Sequence, residues 1–423
     1  MNIRRCSINS CPVSYWDTQR PTSDTKQPTT NTCPPWRNQQ LKTPFNKPYQ
    51  TGKELTYIQD AINRGKISGN GYYTQKCQEF FEERYGFAKC LLTTSCTDAL
   101  EMSAILLDIQ PGDEVIMPSF TFVSTANAFV LRGAKIVFVD SRADHPNMDE
   151  RLIQQLITPK TKAIVVVHYA GFPCEMDVIM DVATRHQLLV VEDAAQAIDS
   201  FYKGKALGSI GHLGCMSFHE TKNIQCGEGG MLMINDPQFI PRAEVIWEKG
   251  TDRAAFFRGE VDKYGWVDIG SSFLPSELNA AYLWAQLENL DSIQERRKSI
   301  WQDYFHFFHR SDNAPNVLSQ SYLDMFSEAL NKLNLWNSFS IPDFNDSPNA
   351  HEFYLIFYSP DERSSFIEHM LERDILCVFH YQSLHNSQYY KSINSDNRQL
   401  LNAINYSDFL VRLPLFYELS EIK

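Results

Sequence analysis

Five short apolar runs between residues 89 and 195 decide the fold: KCLLTT (89–94), EVIMP (114–118), KIVFVD (135–140), AIVVVHYA (163–170) and LLVVEDAA (188–195). Amphipathic segments separate several of them: CTDALEMSAILLD (96–108), DERLIQQLI (149–157) and DVIMDVATRH (177–186). Strand-length apolar runs that alternate with helices predict crossover units and a mostly parallel sheet covered on both faces. Ligands of such sheets bind at the carboxyl ends of the strands, so functional residues should follow these runs.

The flanking sequence predicts a two-domain chain. Helical patterns YIQDAINRG (57–65) and QKCQEFFEERYG (75–86) enclose a turn, SGNG (68–71), and a long helix is predicted over residues 279–308. Strand candidates HEFYLIFY (351–358) and ILCVFHY (375–381) then lie around a helix, DERSSFIEHMLERD (361–374). We therefore predict a large α/β domain over residues 44–290 and a small α+β domain over 291–423. Residues 1–43, rich in Pro, Thr, Asn, Gln and Ser, predict a flexible tail.

Composition excludes several classes of function. The 423 residues carry a net charge of −12, which disfavours nucleic acid and anionic membranes as partners and favours a small molecule. Ten cysteines without a CxxC pair indicate neither a zinc site nor a disulfide scaffold, and we predict no metal site. Because no apolar run is long enough to span a bilayer and no signal peptide is evident, we predict a cytoplasmic protein.

The segment SFHETKNIQCGEGG (217–230) places Lys222 among small polar residues and glycines. A lysine in this setting can form a Schiff base with an aldehyde cofactor, and the nearby Ser217 and glycines allow a phosphate to approach. An exposed loop lysine would fit the same pattern, so the motif alone leaves both interpretations open.

Three other strand ends carry candidate groups. Glu192 and Asp193 end the run VVED, where one acid can pair with a protonated ring nitrogen or cap the next helix. Cys96 and Thr97 begin a helix whose free amides favour a phosphate, although ordinary capping explains them equally well. Phe122 follows a strand and can stack on a planar ring or pack in the core.

Taken in order, these segments resemble the DegT/DnrJ/EryC1/StrS family of sugar aminotransferases over about residues 45–417. The longest segments that resemble the family are residues 95–140, VVHYAGFPCEMD (166–177), SFHETKN (217–223), residues 248–278 and LVRLPLFYELS (410–420). The resemblance implies fold type I of the pyridoxal-phosphate (PLP) transferases, which is the fold of aspartate aminotransferase, and a homodimer.

Position by position, the resemblance implies the roles of the site residues. Lys222 would hold PLP and carry protons, Asp193 would pair with the pyridine nitrogen, and Gln196 would lie near the ring oxygen. Phe122 would stack on the ring, while Cys96, Thr97 and Ser217 would hold the phosphate. The sugar nucleotide would contact residues of the SGNG turn and of VFHYQSLH (378–385), namely Ser68, Gly69, His380, Tyr381 and His385. For His385 a structural role is equally compatible with the sequence.

The resemblance also implies the reaction. L-Glutamate would give its amine to PLP and leave as 2-oxoglutarate, and the amine would then pass to C4 of dTDP-4-keto-6-deoxyglucose. The similar strings point to the galacto product, dTDP-4-amino-4,6-dideoxygalactose, which serves enterobacterial common antigen and lipopolysaccharide. Leu274 departs from the family, because many members have an asparagine there that reaches the partner's phosphate.

Three alternatives remain open at this stage. The first keeps the fold but aminates C3, or C4 with the gluco configuration. The second is a PLP-dependent sugar dehydratase, which Lys222 disfavours because those enzymes have histidine at that position. The third is a non-catalytic relative, which the joint presence of Lys222, Asp193, Gln196 and Ser217 disfavours.

Overall fold

The computed structural model describes residues 42–310, 315–342, 349–394 and 396–419. Its strands are β1 (Lys89–Thr93), β2 (Glu114–Pro118), β3 (Lys135–Val139), β4 (Thr161–Val167), β5 (Leu189–Asp193), β6 (Phe201–Tyr202), β7 (Lys205–Ala206), β8 (Leu213–Ser217), β9 (Gly230–Ile234), β10 (Phe339–Ser340), β11 (Phe353–Phe357) and β12 (Leu410–Leu413). Its helices are α1 (Glu54–Asn63), α2 (Tyr72–Tyr85), α3 (Cys96–Leu106), α4 (Val123–Val130), α5 (Met176–His186), α6 (Ile240–Trp247), α7 (Arg253–Phe257), α8 (Glu277–Leu287), α9 (Leu290–His309), α10 (Gln320–Lys332), α11 (Pro360–Leu371), α12 (Gln388–Ile393) and α13 (Leu401–Phe409).

A seven-stranded sheet in the order β1-β9-β8-β5-β4-β2-β3 forms the centre of the fold. All pairs from β8 to β3 are parallel, and only β9 runs against its two neighbours. This arrangement confirms the predicted mostly parallel sheet and the α/β class. Alternate residues of each strand enter two hydrophobic clusters: in β4, Ile164 and Val166 join one cluster, and Ala163 and Val165 join the other. Both faces of the sheet are therefore buried, as continuous apolar strands require.

One predicted helix is wrong and a second is interrupted. The segment 149–157 forms two short 3₁₀ turns, Glu150–Leu152 and Gln154–Leu156, and the backbone is already extended at Ile157. The long helix predicted over 279–308 is interrupted between α8 and α9. At the interruption the side chain of Asn289 donates a hydrogen bond to the carbonyl of Ala285 (2.9 Å), which competes with the helical ladder.

A second sheet, β10-β11-β12, is antiparallel and packs in a separate hydrophobic cluster with α9, α10 and α11. The predicted strand 375–381 is wrong: it makes only isolated bridges, at Ile375 and Val378. Its end leaves the sheet because His380 and Tyr381 contact Tyr169 and Gln196 at the edge of the large sheet. The domain boundary at residue 290 stays a prediction.

The chain's N-terminal region corrects one further expectation. Thr43, assigned to the flexible tail, is buried and forms a parallel bridge with Ile375, donating its amide to the carbonyl of Asp374 (3.0 Å). Residues 1–41 of the predicted tail lie outside the described residues. Within the described ranges, no helix is both long and apolar enough to cross a membrane.

Candidate active site

The candidate residues collect at one edge of the large sheet. Strands β1, β2, β4, β5 and β8 run in the same direction, so their carboxyl ends share that edge. Electrostatic interactions connect the side chains of Lys222, Asp193 and Cys96, which come from three different strand ends. The structure therefore brings together the predicted cofactor residues: Cys96 and Thr97 beyond β1, Phe122 beyond β2, Asp193 and Gln196 at and beyond β5, and Ser217 and Lys222 at and beyond β8.

Lys222 lies in the loop that joins β8 to β9. Its backbone amide donates to the carbonyl of His219 (2.9 Å), whereas its Nζ makes no hydrogen bond to any described residue. Burial lowers the pKa of the Lys222 amine, although the nearby Cys96 and Asp193 act in the opposite direction. A lysine with a lowered pKa has more of its neutral, nucleophilic form available to attack an aldehyde.

Asp193 ends β5 with incompletely satisfied oxygens. Its Oδ2 accepts a hydrogen bond from the hydroxyl of Thr125 (2.7 Å) and its Oδ1 accepts one from the amide of Ala195 (3.2 Å). Burial raises the pKa of the carboxyl, and these two hydrogen bonds together with Lys222 only partly oppose that effect. A buried carboxylate in this state gains from a cationic partner, such as a protonated ring nitrogen.

Glu192, the preceding residue, faces a different environment. Its carboxylate accepts from the backbone amides of Gly208 (2.8 Å), Ile210 (2.6 Å) and Gly211 (2.5 Å). It also accepts from Nε2 of His168 (2.9 Å), whose Nδ1 accepts the amide of Cys174 and so leaves the proton on Nε2. The sequence left open which acid serves the site, and the structure shows that Glu192 is fully engaged in the fold.

The N-terminus of α3 meets β9 at the edge of the sheet. Ser95 caps α3 by accepting the amide of Asp98 (3.1 Å), which leaves the amides of Cys96 and Thr97 at the helix start. Gly230 lies beside them, and a Cβ on it would stand 2.3 Å from the amide nitrogen of Cys96. Ser217 pairs with Gly230 across the sheet, and its hydroxyl accepts the amide of His219 (3.3 Å). Helix amides and a hydroxyl are suitable phosphate ligands.

Phe122 and Gln196 lie on the side of the site nearest Tyr381. Phe122 is the N-cap residue of α4, its side chain is 54% exposed, and its ring centroid is 6.1 Å from that of Tyr381. Gln196 is buried; its Oε1 accepts the amide of Ala170 (2.6 Å) and its Nε2 donates to the hydroxyl of Tyr381 (2.7 Å). Gln196 therefore joins the strand ends to the C-terminal part of the chain.

The predicted substrate residues divide into two groups. His380 stacks on Tyr381 at 3.6 Å, hydrogen-bonds with the hydroxyl of Tyr169 (2.7 Å) and interacts electrostatically with Lys222, so both residues belong to the site. His385 instead anchors its loop: its Nδ1 bonds to the hydroxyl of Ser119 (2.6 Å) just beyond β2. A structural role for His385 accounts for this contact.

The SGNG turn packs against the segment that contains Leu274. A Cβ on Gly69 would stand 2.6 Å from Cβ of Leu274, so the close approach requires glycine. Ser68 is exposed. The contacts of Ser68 and Gly69 place neither residue beside Lys222 or Asp193, and their substrate role stays a prediction.

Several polar residues of the site were not foreseen from the sequence. Lys222 interacts electrostatically with Glu352 and Arg412, which form an ion pair at 3.3 Å, and with His351. Asn223 hydrogen-bonds to His351 (2.9 Å). Their positions depend on contacts between segments more than 100 residues apart, and the one local signal was the charged and polar character of HEFY and LVRL inside apolar strands.

Residues 48–423 match the model of the DegT/DnrJ/EryC1/StrS aminotransferase family. DesV of S. venezuelae is 27% identical, with 89% of this chain and 94% of that chain covered and a TM-score of 0.73. An aminotransferase from Psychrobacter cryohalolentis is 26% identical (89% and 95% covered, TM-score 0.76), and Spr1654 of Streptococcus pneumoniae in its PLP form is 25% identical (90% and 95%, TM-score 0.75). The chain therefore belongs to the DegT/DnrJ/EryC1/StrS aminotransferase family, whose cofactor is pyridoxal phosphate.

Proposed function

We propose that the protein transfers an amine from L-glutamate to C4 of dTDP-4-keto-6-deoxyglucose, giving dTDP-4-amino-4,6-dideoxygalactose and 2-oxoglutarate. The observation that carries the aminotransferase chemistry is that a lysine amine without a hydrogen bond to the described residues lies at one sheet edge with a buried carboxylate that forms no ion pair with them. The description of Spr1654 as a sugar aminotransferase supports a sugar acceptor. The choice of this sugar rests on the sequence segments 95–140 and 248–278, which resemble family members that make the galacto product.

The residues at the edge fit PLP. Lys222 would take the aldehyde, because its side chain is half-buried, desolvation lowers the pKa of its amine, and its Nζ has no hydrogen-bond partner among the described residues. Asp193 would hold the ring nitrogen, and Ser217 with the amides of Cys96 and Thr97 would hold the phosphate. Phe122 is exposed enough to cover a planar ring without leaving its position at the start of α4.

Each residue would then have a defined task. Bound PLP supplies an electron sink that stabilises negative charge on the carbon from which a proton is removed. Asp193 keeps the ring nitrogen protonated, and the Thr125 hydroxyl holds the Asp193 carboxylate in place. The Lys222 amine would take the proton from the alpha carbon of the amine donor and would pass it on to a carbon of the cofactor, and the same lysine would serve both halves of the reaction. Gln196, held by Ala170 and Tyr381, would contact the ring oxygen.

An absorbance experiment tests the proposal. Purified protein supplied with PLP should develop a near-visible band that glutamate removes and dTDP-4-keto-6-deoxyglucose restores, and NMR of the sugar product should show the galacto configuration at C4. In Lys222→Ala the glutamate-sensitive band should be lost and turnover should fall by about 10⁴-fold or more, because the residue that carries the protons is gone.

The outcomes separate the two parts of the proposal. A band in Lys222→Ala that glutamate still removes would contradict the assignment of Lys222. A cycle that works with glutamate but gives a gluco or C3-amino product would leave the aminotransferase intact and replace the substrate. Wild-type protein that never forms the band with PLP would point to a non-catalytic relative.

We also propose that the protein is a homodimer. The segment 253–269, after α6, exposes large apolar side chains: Trp266 is 84% exposed and Phe257 is 70% exposed. Val267, Tyr264 and Ile269 are exposed in the same segment, and such a patch favours association with a second copy. Light scattering coupled to size-exclusion chromatography should give twice the chain mass, and Trp266→Asp should shift the protein towards monomer. A monomeric wild type would contradict this proposal.

A further inference from the structure

The residue next to the candidate lysine is the centre of a buried polar network. The Asn223 amide nitrogen donates to Oε1 of Gln294 on α9 (2.8 Å) and to the carbonyl of Asn349 (2.7 Å), and its Oδ1 bonds to Nδ1 of His351 (2.9 Å). Asn223, Gln294, Asn349 and His351 are all buried. The loop that carries Lys222 is thus attached, one residue away, to a distant part of the chain.

The hydrogen bonds fix the proton positions in this network. A backbone carbonyl only accepts, so the Asn223 atom that faces the Asn349 carbonyl is its NH₂ group, and the other atom is Oδ1. Because Oδ1 also only accepts, His351 must donate from Nδ1. Burial and the positive charges of Lys222 and Arg297 lower the pKa of His351, so the ring is neutral and its Nε2 carries no proton.

The network reaches the other strand ends as well. The Asn349 side-chain amide donates to the carbonyls of Gln196 and Ile198 (2.8 Å each), and its Oδ1 accepts the amide of His351 (3.1 Å). Its Oδ1 also packs on Gly171, where a Cβ would stand only 2.1 Å away. The same few side chains therefore connect the residues beyond β4, β5 and β8.

The backbone of residues 349–351 is also held from α9. Arg297 on α9 is buried and donates to the carbonyls of Ala350 (3.1 Å) and His351 (2.8 Å). With the backbone held by Arg297, the His351 ring has little freedom to leave Asn223. The loop around Lys222 has backbone hydrogen bonds on both sides, such as Cys226 to Phe218, but it is the Asn223 side chain that ties its tip to α9 and the 349–351 turn.

We propose that Asn223 and His351 are positioning residues for Lys222: the Nδ1–H of His351 holds Asn223, and Asn223 holds the loop so that the Lys222 amine faces Asp193. The inference rests on Lys222 being the residue that binds PLP. Both side chains would act through the lysine, because their hydrogen bonds go to each other and to Gln294 and Asn349.

Two substitutions at His351 test the donor directly. In Asn, the side-chain NH₂ can take the place of Nδ1–H, whereas in Gln the NH₂ corresponds to Nε2 and does not replace the bond to Asn223. We therefore expect H351N to capture PLP within about 2-fold of wild type and H351Q to capture it about 10-fold more slowly, the cost of one lost hydrogen bond. The readout is the growth of the cofactor band in PLP-free protein, with reduction and peptide mass spectrometry to show attachment at Lys222.

A matched control separates positioning from simple loss of stability. Asn235 also donates to two backbone carbonyls, of Gly208 (2.8 Å) and Gly211 (2.9 Å), and among the described residues its side chain makes no hydrogen bond to the Lys222 loop. Asn235→Ala and Asn223→Ala should both lower the melting temperature, and only Asn223→Ala should slow PLP capture and reduce kcat with little change in KM for glutamate.

The result that would overturn the proposal is equal capture by H351Q and H351N, or equal slowing in Asn223→Ala and Asn235→Ala. If H351Q does not fold, the Asn223 and Asn235 pair still decides. Failure of the proposed function is distinguishable, because wild-type protein would then show no PLP attached to Lys222, whereas failure of this inference leaves wild-type capture intact.

Discussion

Two adjacent carboxylates on β5 have opposite environments. Glu192 and Asp193 point to opposite faces of the sheet because side chains alternate along a strand. Glu192 accepts four hydrogen bonds, from His168 and from three backbone amides of the 208–211 turn. Asp193 accepts two and has a raised pKa because burial is not fully compensated.

The difference indicates which acid serves the fold and which serves the ligand. A buried carboxylate with all its acceptor positions filled stabilises the turn that it binds and has nothing left to offer a substrate or cofactor. A buried carboxylate that is short of partners costs free energy in the cofactor-free protein and recovers it when a cation arrives. Proximity in sequence therefore says little about shared function.

Replacement of Asp193 should have the largest effect on turnover. Asp193→Asn should reduce turnover by on the order of 10³-fold, because the neutral amide cannot keep the ring nitrogen charged at the moment when the ring must accept electrons. Its effect on the unfolding free energy of the PLP-free protein should stay below about 1 kcal/mol, since the substitution also removes a poorly compensated buried charge. Steady-state kinetics and urea unfolding of the same preparation measure both quantities.

The outcome that contradicts this assignment is an Asp193→Asn enzyme that keeps its kcat. A large loss of stability without PLP would also count against it, because it would mean that Asp193 supports the fold in the way that Glu192 does. Thr125→Val should reduce turnover less than Asp193→Asn, since it removes the hydroxyl that donates to Asp193 but leaves the carboxylate charge in place.

Replacement of Glu192 should affect stability more than turnover. Glu192→Gln should lower the unfolding free energy by about 3 kcal/mol, because a Gln NH₂ group must face donors that the carboxylate had accepted. The fraction that remains folded should keep most of its kcat, since Glu192 has no contact with Lys222 or Asp193 side chains. Urea unfolding with and without PLP measures the first expectation, and active-site titration normalises the second.

A Glu192→Gln protein with wild-type stability would contradict the structural role. A fall in kcat per folded site as large as that of Asp193→Asn would contradict the separation of the two carboxylates. His168→Ala should resemble Glu192→Gln, because it removes the side-chain donor from the same carboxylate.

The central sheet and the positions of Asp193 and Lys222 at its edge were predictable because their signals are local. The runs 89–94 to 188–195 each carry strand-length apolar character, and Asp193 and Lys222 stand directly beyond or between strands. The strands β8 and β9 escaped notice because LGCMS and GMLMI contain Gly, Cys and Met, which are weak strand indicators. The nine residues 149–157 have helical spacing but form only short 3₁₀ turns, which this spacing does not distinguish from an α-helix.

The second half of the site could not be predicted, because it depends on contacts between distant segments. The bond between Asn223 and His351 joins positions 128 apart, and that between Tyr169 and His380 joins positions 211 apart. Neither periodicity nor composition encodes such pairs. His351 looks like one polar residue at the start of an apolar strand until the structure places it beside Lys222.

The smallest effect that we predict is on the acidity of Lys222. The negative charge of Asp193 raises the pKa of Lys222, in opposition to the larger effect of burial, so Asp193→Asn should lower that pKa further. The neutral amine would then be available at lower pH, and the midpoint of Lys222 modification by an amine reagent in PLP-free protein should move to lower pH. Glu192→Gln should leave the midpoint where it is, because Glu192 lies on the other face of β5. A midpoint that moves upward in Asp193→Asn, or equally in both variants, would show that the two carboxylates do not differ in their relation to the lysine.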